Sequence, residues 1–310
     1  MRELNEDHIA LGSWAFGDQD YWAGQQHTDS IKTLQAALCS GIRHIDTAYA
    51  YGNGRAEQFL GQQLHRLRSD YHREDLIVAT KINTYDEKAV ERRVFESMRR
   101  LQTDYLDIVY LHWPRSDKNI IPIFLALKDL RDRGIIRFIG ASNLPLKLLK
   151  EVSSTVPISI CQFSYSLLWR TPETGLILFC RNRGILTAGY SPLAQGLLAG
   201  IDPSALSRTD PRRKLVFFDP EQIQRTYTVI DTVRQIALET NRSMAQVAID
   251  WTAGKKQVDT MVIGMRTRRQ CEEVMQYDHR PRLDTRYRML LDEASTPIDS
   301  TSDNIFHHAW

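Results

Sequence analysis

Short apolar runs alternate with longer amphipathic stretches along almost the whole chain, and this alternation restricts the fold more than any other feature. Nearly continuous apolar runs are typical of parallel strands that are covered on both faces. We predict eight strands, at Ile9–Leu11, His44–Asp46, Leu76–Thr80, Ile108–Leu111, Phe138–Ala141, Ile158–Gln162, Leu186–Gly189 and Thr260–Ile263. Strand–helix alternation through eight units predicts an α/β fold of the (β/α)8 TIM-barrel class, a parallel eight-stranded barrel with outer helices.

The stretches between the runs carry the start and stop signals of helices. Thr28 or Asp29 is the expected cap of the first long helix, and Gly41 follows its last turn. Asp86 is the expected cap of a later helix. Pro122 lies near the start of another, where a missing N–H costs little. No linker interrupts this pattern, so we expect one barrel domain over residues 1–310.

Composition excludes several classes of function. The 310 residues carry 40 basic and 38 acidic side chains, and this balance gives no overall attraction to nucleic acid or to an anionic membrane. The N-terminal stretch lacks the apolar run of a signal peptide, and no segment approaches the ~20 apolar residues of a membrane span. The 4 cysteines are scattered without CxxC spacing, and the 9 histidines show no metal-ligand spacing. We therefore expect a cytoplasmic protein with reduced, packed cysteines and no metal.

Residues 200–220 form the main irregularity. This stretch is rich in proline and charge, contains Phe217 and Phe218, and falls after the seventh predicted strand. Loops of this length in a compact domain are usually functional or disordered. Its basic residues Arg212, Arg213 and Lys214 are expected to be exposed.

Polar residues stand at the ends of four predicted strands. Asp46, Lys81, His112 and Asn143 occupy these positions, and Tyr51 follows Asp46 by five residues. A closed ring of parallel strands brings such ends together at one mouth, so distant residues share one pocket.

This set has the chemistry of carbonyl reduction. Tyr51 is an acid candidate if a nearby ammonium, Lys81, lowers its pKa against the effect of burial. Asp46 would keep Lys81 charged, and His112 would orient a substrate oxygen. None of these side chains donates hydride, so a nicotinamide cofactor is implied.

Several stretches resemble the aldo-keto reductase family in order and spacing, over nearly the whole chain. They are GSW (12–14), IDTAYAYGNGRAE (45–57), ATK (79–81), YLHWP (110–114), IGASN (139–143), YSPLAQGLLAG (190–200) and VIGMRTRRQCEE (262–273). The chain looks closest to the branch of general stress proteins and potassium-channel beta subunits. The resemblance implies a catalytic tetrad, with Tyr51 as proton donor, Asp46 and Lys81 tuning it and His112 positioning the carbonyl.

The resemblance also implies an NADP(H) site. Its expected members are Ser142, Asn143 and Gln162 at the carboxamide, Tyr190 stacked on the nicotinamide, backbone of Ser191, Leu193 and Gly196 at the pyrophosphate, Arg266 and Gln270 at the 2′-phosphate, and Glu273 at the adenine. A guanidinium suits phosphate, so Arg266 favours NADPH over NADH. The basic triplet at 212–214 is an alternative clamp on the cofactor from the long loop.

The chain departs from the family pattern in places. Only about eight residues precede the first predicted strand, so the family's N-terminal plug is expected to be reduced. Val274 stands where many members have an Asn at the adenine.

The substrate pocket is less defined by sequence. Trp14, Trp22 and Trp113 are its expected walls, and Tyr85 and Trp169 are further candidates. Each of the five could equally belong to the core. The C-terminal tail, with Phe306, His307, His308 and Trp310, either folds over the mouth, as tails do in this family, or is frayed.

These expectations lead to one function with two alternatives. The favoured one is NADPH-dependent reduction of a small aldehyde or ketone, with no nucleic-acid or membrane partner and an open oligomeric state. The chain could instead be an NADPH-binding regulatory or sensor subunit with weak turnover. A barrel isomerase or aldolase that uses Lys81 as a Schiff base is the third option.

Overall fold

Eight parallel strands close into a barrel in chain order. The computed structural model describes residues 3–4, 8–115, 118–255, 257–279, 281–296 and 304–306. The strands are β1 (Ile9–Gly12), β2 (His44–Asp46), β3 (Ile77–Ile82), β4 (Leu106–Leu111), β5 (Ile136–Ser142), β6 (Ile160–Ser164), β7 (Leu186–Tyr190) and β8 (Thr260–Gly264). β1 pairs in parallel with both β2 and β8, which completes the ring. The predicted TIM-barrel class is confirmed.

Helices surround this barrel on the outside. They are α1 (Trp14–Gly17), α2 (His27–Cys39), α3 (Arg55–Arg66), α4 (Glu87–Leu101), α5 (Ile121–Asp132), α6 (Leu146–Ser153), α7 (Leu176–Asn182), α8 (Ile223–Thr240), α9 (Met244–Gly254), α10 (Arg268–Met275) and α11 (Thr285–Ala294). Among the described residues, no helix is both long and apolar enough to cross a bilayer.

Helix caps were predicted with mixed success. Asp86 caps α4 as expected, since its side chain accepts a hydrogen bond from the backbone N–H of Lys88. The expected cap of α2 at Thr28 or Asp29 is wrong, because Gln26 already has the extended backbone of a cap and the helix begins at His27. Asp29 lies instead in the first turn, where a negative charge favours the helix dipole.

The hydrophobic core has two parts, one on each side of the barrel wall. The outer one packs helices against the strands, and the inner one fills the barrel with residues such as Ala10, Ile108 and Val262. Leu4 belongs to the inner cluster and is 6% exposed, so the short N-terminal segment contributes a side chain to the barrel interior. Cys161, Cys180 and Cys271 are buried as predicted, whereas Cys39 is exposed, so the packing interpretation is wrong for that one residue.

Gly140 makes room inside the barrel for a large ring. It is paired with Tyr110 across β4 and β5, and a Cβ built on Gly140 would stand 2.2 Å from Cδ1 of Tyr110. Tyr110 is fully buried, so its ring has nowhere to move.

We expect Gly140→Ala to lower the free energy of unfolding by about 1–3 kcal/mol, the usual cost of overpacking a tight core. Gly254→Ala is the control, because its Cβ would lie 3.5 Å from Arg288, an ordinary contact, and alanine is the better helix former. Urea titration of both variants measures the difference. Equal stability of the two would contradict the packing argument.

Candidate active site

One cavity opens at the carboxyl ends of the strands. Asp46 is the last residue of β2, and His112 and Asn143 directly follow β4 and β5. These three and Tyr51 line the cavity. Lys81 lies inside β3, one residue before its end, and sits behind Asp46 and Tyr51. The structure therefore brings the predicted polar residues together.

The ammonium of Lys81 is the hub of this group. Its Nζ donates to Oδ1 of Asp46 at 2.5 Å, to the backbone oxygen of Thr47 at 3.0 Å and to the hydroxyl of Tyr51 at 3.2 Å. The side chains of Lys81 and Asp46 are each only 1% exposed. Three acceptors match the three N–H donors of a charged lysine.

Burial dominates the titration of these groups. Burial lowers the pKa of Lys81, while the carboxylate of Asp46 acts in the opposite direction. Burial, and then the charge of Asp46, raise the pKa of Tyr51 well above its ordinary value. The expectation of a lowered pKa for Tyr51 is therefore wrong, because burial and the carboxylate of Asp46 both raise it. The phenol stays protonated at neutral pH, which suits a proton donor.

His112 is a neutral imidazole next to the phenol. Burial and the charge of Lys81 lower the pKa of His112 well below its ordinary value. The ring centroids of His112 and Tyr51 are 5.8 Å apart. Nδ1 of His112 is buried and has no hydrogen-bond partner within the described part of the chain. Tyr49 lies two residues before Tyr51 but points away from this group. Its ring packs under the guanidinium of Arg100, whose Cζ lies 4.9 Å from the ring centroid.

Polar side chains continue from this group along the cavity. Nε2 of Gln162 donates to Oδ2 of Asp46 at 2.8 Å. The hydroxyl of Tyr190 donates to Oδ1 of Asn143 at 2.9 Å, and Nδ2 of Asn143 donates to Oγ of Ser142 at 3.0 Å. All the side chains predicted around a nicotinamide thus line one region of the cavity.

The turn after β7 forms the next part of the cavity wall. Ser191, Leu193 and Gly196 line it, as predicted. Ala194, Gln195 and Gly196 all have positive φ, and the N–H of Gly196 bonds to the carbonyl of Leu193 at 2.9 Å. That N–H is therefore engaged inside the turn. Nε2 of Gln195 is buried and lacks a hydrogen-bond partner among the described residues.

Arg266, Gln270 and Glu273 line the far end of the cavity. Nε of Arg266 donates to Oε1 of Gln25 at 3.0 Å, and Nη2 donates to the carbonyl of Ala23 at 3.1 Å. The guanidinium is thereby held in place by a loop about 240 residues earlier in the chain. Arg268, two residues further along the chain, forms an exposed ion pair with Glu272.

Aromatic rings form the wall above the phenol. Trp14, Trp22 and Trp113 line the cavity as predicted. The ring of Trp14 stacks on that of Tyr51, with centroids 5.9 Å apart. Trp169 is 2% exposed and belongs to the core, which is the alternative that the sequence had left open for it. Tyr85 does not face the cavity either and donates its hydroxyl hydrogen to the carbonyl of Trp113 at 3.2 Å.

The long loop and the C-terminal segment meet at this wall. Residues 200–220 contain three short 3-10 helices, Pro203–Ala205, Pro211–Lys214 and Val216–Phe218. The N–H of Val216 bonds to the carbonyl of Ile305 at 3.1 Å, and Phe306 lies 6.0 Å from Trp113 between ring centroids. Phe306 thus lies over the mouth. His307, His308 and Trp310, for which a place over the mouth or a frayed end was expected, lie outside the described residues.

Two residues that line this cavity were missed or misplaced by the prediction from sequence, Gln195 and Arg212. The hydroxyl of Tyr21, which comes from another loop, donates to Oε1 of Gln195. The predicted exposure of Arg212 is wrong, since its side chain is 17% exposed and lines the cavity. The alternative prediction, a clamp on the cofactor from the basic triplet at 212–214, had included this residue.

Comparison with known proteins agrees with this architecture. A model described as the aldo/keto reductase family matches residues 8–295. The chain belongs to the aldo/keto reductase family. It is 29% identical over 287 residues to aldo-keto reductase YhdN of Bacillus subtilis (strain 168), covering 87% of this chain and 84% of that protein. It is 28% identical over 295 residues to an NADH-specific methylglyoxal reductase of Escherichia coli (strain K12), covering 87% and 89%.

A solved structure supports the fold of this aldo/keto reductase. The glycerol dehydrogenase AKR11B4 from Gluconobacter oxydans matches it with a TM-score of 0.81 at 24% identity, covering 95% of this chain and 94% of that one. At that identity the likeness shows the fold alone. Family membership makes the chain an NAD(P)H-dependent oxidoreductase.

The cavity fits an extended nicotinamide dinucleotide. It runs from the Lys81 group to Arg266, and two glycines at strand ends, Gly12 of β1 and Gly264 of β8, are among the residues that line it. Gln195 also lines it, and its amide nitrogen is buried without a hydrogen-bond partner among the described residues. Apolar rings lie at one end and cations at the other, as a nicotinamide and its phosphates require.

Proposed function

We propose that this aldo/keto reductase reduces the carbonyl group of a small aldehyde or ketone to an alcohol with NADPH, and that Tyr51 donates the proton. The observation that carries the proposal is the position of one ammonium, on Lys81, in contact with both Asp46 and Tyr51 beside the cavity. A bound nicotinamide supplies the hydride to the carbonyl carbon. The protein supplies the proton and the orientation.

The side chains have separate tasks in this scheme. Tyr51, a protonated phenol, gives its proton to the carbonyl oxygen as negative charge develops there. Lys81 stabilises the phenolate left behind, and Asp46 keeps Lys81 protonated. His112 is neutral, and a neutral imidazole has one N–H. This N–H can donate a hydrogen bond to the same oxygen and hold the carbonyl against the phenol.

The aromatic wall favours a substrate with an apolar group next to its carbonyl. Trp14, Trp22, Trp113 and Phe306 surround the space above Tyr51. Steady-state turnover of aldehydes and ketones that differ in the size of this group, with NADPH and with NADH, tests the proposal. Turnover of none of them together with tight NADPH binding would favour the regulatory-subunit alternative.

The Schiff-base alternative is disfavoured by the position of Lys81. A nucleophilic amine needs a free lone pair and a path to the substrate. Nζ of Lys81 donates three hydrogen bonds and is not part of the cavity surface. Borohydride in the presence of a carbonyl substrate should leave the mass of the protein unchanged.

Arg266 is proposed to select NADPH over NADH. We expect Arg266→Leu to weaken NADP⁺ binding about 10–100-fold and to leave NAD⁺ binding nearly unchanged, because a charge-assisted hydrogen bond contributes about 1.5–3 kcal/mol. Arg268→Leu is the matched control, since Arg268 lies two residues further along the chain, at the start of α10, and is exposed. Calorimetric titration of each variant with NADP⁺ and with NAD⁺ measures the affinities. If Arg266→Leu lost affinity for NADP⁺ and NAD⁺ by the same factor, Arg266 would not select between them.

A further inference from the structure

A buried carboxylate lies outside the barrel wall, behind the residues of the candidate active site. Glu57 belongs to the first turn of α3 and is 0% exposed. Its Oε1 accepts a hydrogen bond from Oγ1 of Thr80 at 2.6 Å, and its Oε2 accepts one from Nε of Arg100 at 2.6 Å. Burying a carboxylate is unfavourable unless it is paired and hydrogen-bonded. The proton-transfer scheme gives Glu57 no task, although the chain keeps two partners for it.

The bond to Thr80 connects Glu57 to the strand that carries Lys81. Thr80 and Lys81 are neighbours on β3, and successive side chains of a strand point to opposite faces. Lys81 points inward, where its ammonium meets Asp46 and Tyr51. Thr80 therefore points outward, toward the helix layer. Glu57 thus ties the first turn of α3 to the strand position next to the ammonium.

Arg100 extends this connection to the Tyr51 loop, residues 47–54, which joins β2 to α3. Its guanidinium packs on the face of the Tyr49 ring. A Cβ built on Gly54 would lie 2.8 Å from Cδ and from Nε of Arg100, so this side chain passes directly over Gly54. Arg100 therefore contacts the loop both before and after Tyr51.

The backbone of the Tyr51 loop depends on support from its surroundings. Residues 52–54, directly after Tyr51, all have positive φ, between 55° and 88°. Backbone of this kind persists where neighbouring structure holds it in place. The N–H of Gly54 bonds to the carbonyl of Tyr49 at 2.6 Å, so the loop closes on itself around Tyr51. The side chain of Arg100 covers this closed segment.

The charge of Glu57 also reaches the ammonium of Lys81. Burial lowers the pKa of Lys81, and the charges of Asp46 and Glu57 both oppose that effect. The proposed scheme needs a charged Lys81, because the ammonium stabilises the phenolate that Tyr51 leaves behind. Glu57 therefore supports this ammonium from behind the strand, in addition to its contact with Thr80.

We propose that Glu57 is a positioning residue of the reductase, which together with Arg100 holds the Tyr51 loop against β3 and so fixes the Tyr51 hydroxyl beside the ammonium of Lys81. This inference rests on the proposed function, in which Tyr51 donates the proton. A displacement of about 1 Å at reacting groups can lower a rate about 10²-fold. Glu57 and Arg100 do not line the cavity, so we expect them to affect turnover and not the binding of substrate or cofactor.

The test is a pair variant, Glu57→Leu with Arg100→Met, which removes the connection without leaving a buried charge unpaired. We expect kcat to fall about 10–100-fold, with nearly unchanged KM and NADP⁺ affinity, because only the alignment of the phenol is disturbed. Steady-state kinetics and calorimetric titration measure these values, and circular dichroism shows whether the variant is folded.

Thr80→Val is a milder variant that keeps the buried ion pair. It removes only the hydrogen bond between Glu57 and β3, and valine has nearly the shape of threonine. We expect a smaller loss of kcat, again with nearly unchanged KM. If the pair variant does not fold, Thr80→Val decides the matter. Wild-type kcat in every folded variant of the two would overturn the proposal.

The same changes in a Tyr51→Phe background separate positioning from general damage. If Glu57 and Arg100 act through the Tyr51 hydroxyl, removing them from Tyr51→Phe should lower kcat by a much smaller factor than in the wild type, because no hydroxyl is left to position. A loss by the same factor in both backgrounds would show independent damage to the fold and overturn the proposal.

Asp107→Asn is the matched control for the loss of a buried carboxylate. Asp107 is also 0% exposed and pairs with two guanidinium groups, those of Arg73 and Arg137, but it lies near the start of β4 and does not line the cavity. We expect this variant to lose stability and to keep nearly wild-type kcat. An equal loss of kcat in Asp107→Asn and in the pair variant would assign the effect to buried ion pairs in general and overturn the proposal.

Failure of the proposed function would look different. Wild-type turnover by Tyr51→Phe would refute the proton donor itself and with it the basis of this assignment. A large loss in Tyr51→Phe together with wild-type kcat in the pair variant would refute only the task of Glu57.

Discussion

Replacing Tyr51 by phenylalanine is expected to lower turnover about 10²–10⁴-fold, the typical contribution of one positioned proton-transfer group. The change removes only the hydroxyl, and the ring can keep its stacking on Trp14. Lys81 retains its bonds to Asp46 and Thr47, so the buried charge remains paired. Stability should therefore change little, and steady-state kinetics should show the loss in kcat.

Dinucleotide binding separates this role from a structural one. Tyr51→Phe should bind NADP⁺ with nearly the wild-type affinity, because the proposed contacts to the cofactor come from other residues. Tyr49→Phe is a matched control on the same loop, since Tyr49 packs beneath Arg100 outside the cavity. Wild-type turnover by Tyr51→Phe would refute the assignment of the acid.

The fold could be predicted because its signals are local and repeated. Each strand is a separate apolar run, and the closure of eight such strands follows from a general rule of α/β chains. The boundaries were less certain, and β5 begins two residues before the predicted start at Phe138. Ile136 is buried, but Arg137 and Phe138 are only partly buried, so the start of this strand has a mixed pattern.

The placement of the tetrad was predictable for a similar reason. Positions at strand ends converge in a barrel whatever the details of packing. The direction of the Tyr51 pKa shift was not predictable, because it depends first on how deeply the phenol is buried and then on the charge of Asp46. A sequence does not show the depth of burial of a single side chain.

Contacts between loops were beyond sequence reasoning. The bond between Arg266 and Gln25 joins residues 241 positions apart, and the bond between Tyr21 and Gln195 spans 174. Neither pair belongs to a periodic pattern or to a sequence motif. The orientation of Arg212 depends on Asp210 two residues away, a turn geometry that charge counts alone did not reveal.

The buried pair of Lys81 and Asp46 leads to the second large effect. We expect Lys81→Met to lower the free energy of unfolding by about 3–5 kcal/mol at neutral pH, because it leaves an unpaired carboxylate in a dry site. Gln162 remains as a donor to Asp46, but a neutral amide does not balance the charge. Urea titration with circular dichroism measures the loss.

The double variant Asp46→Leu with Lys81→Met shows why this instability does not by itself explain lost activity. With both charges gone, no buried ion is left unpaired, and replacing such a pair by apolar groups is often neutral for stability. The double variant should therefore regain most of the stability that Lys81→Met loses, yet remain inactive, since Tyr51 has no cation to stabilise its phenolate. A single variant as stable as the wild type would show that Asp46 is not charged in the native protein. A double variant with restored turnover would show that the pair serves only the fold.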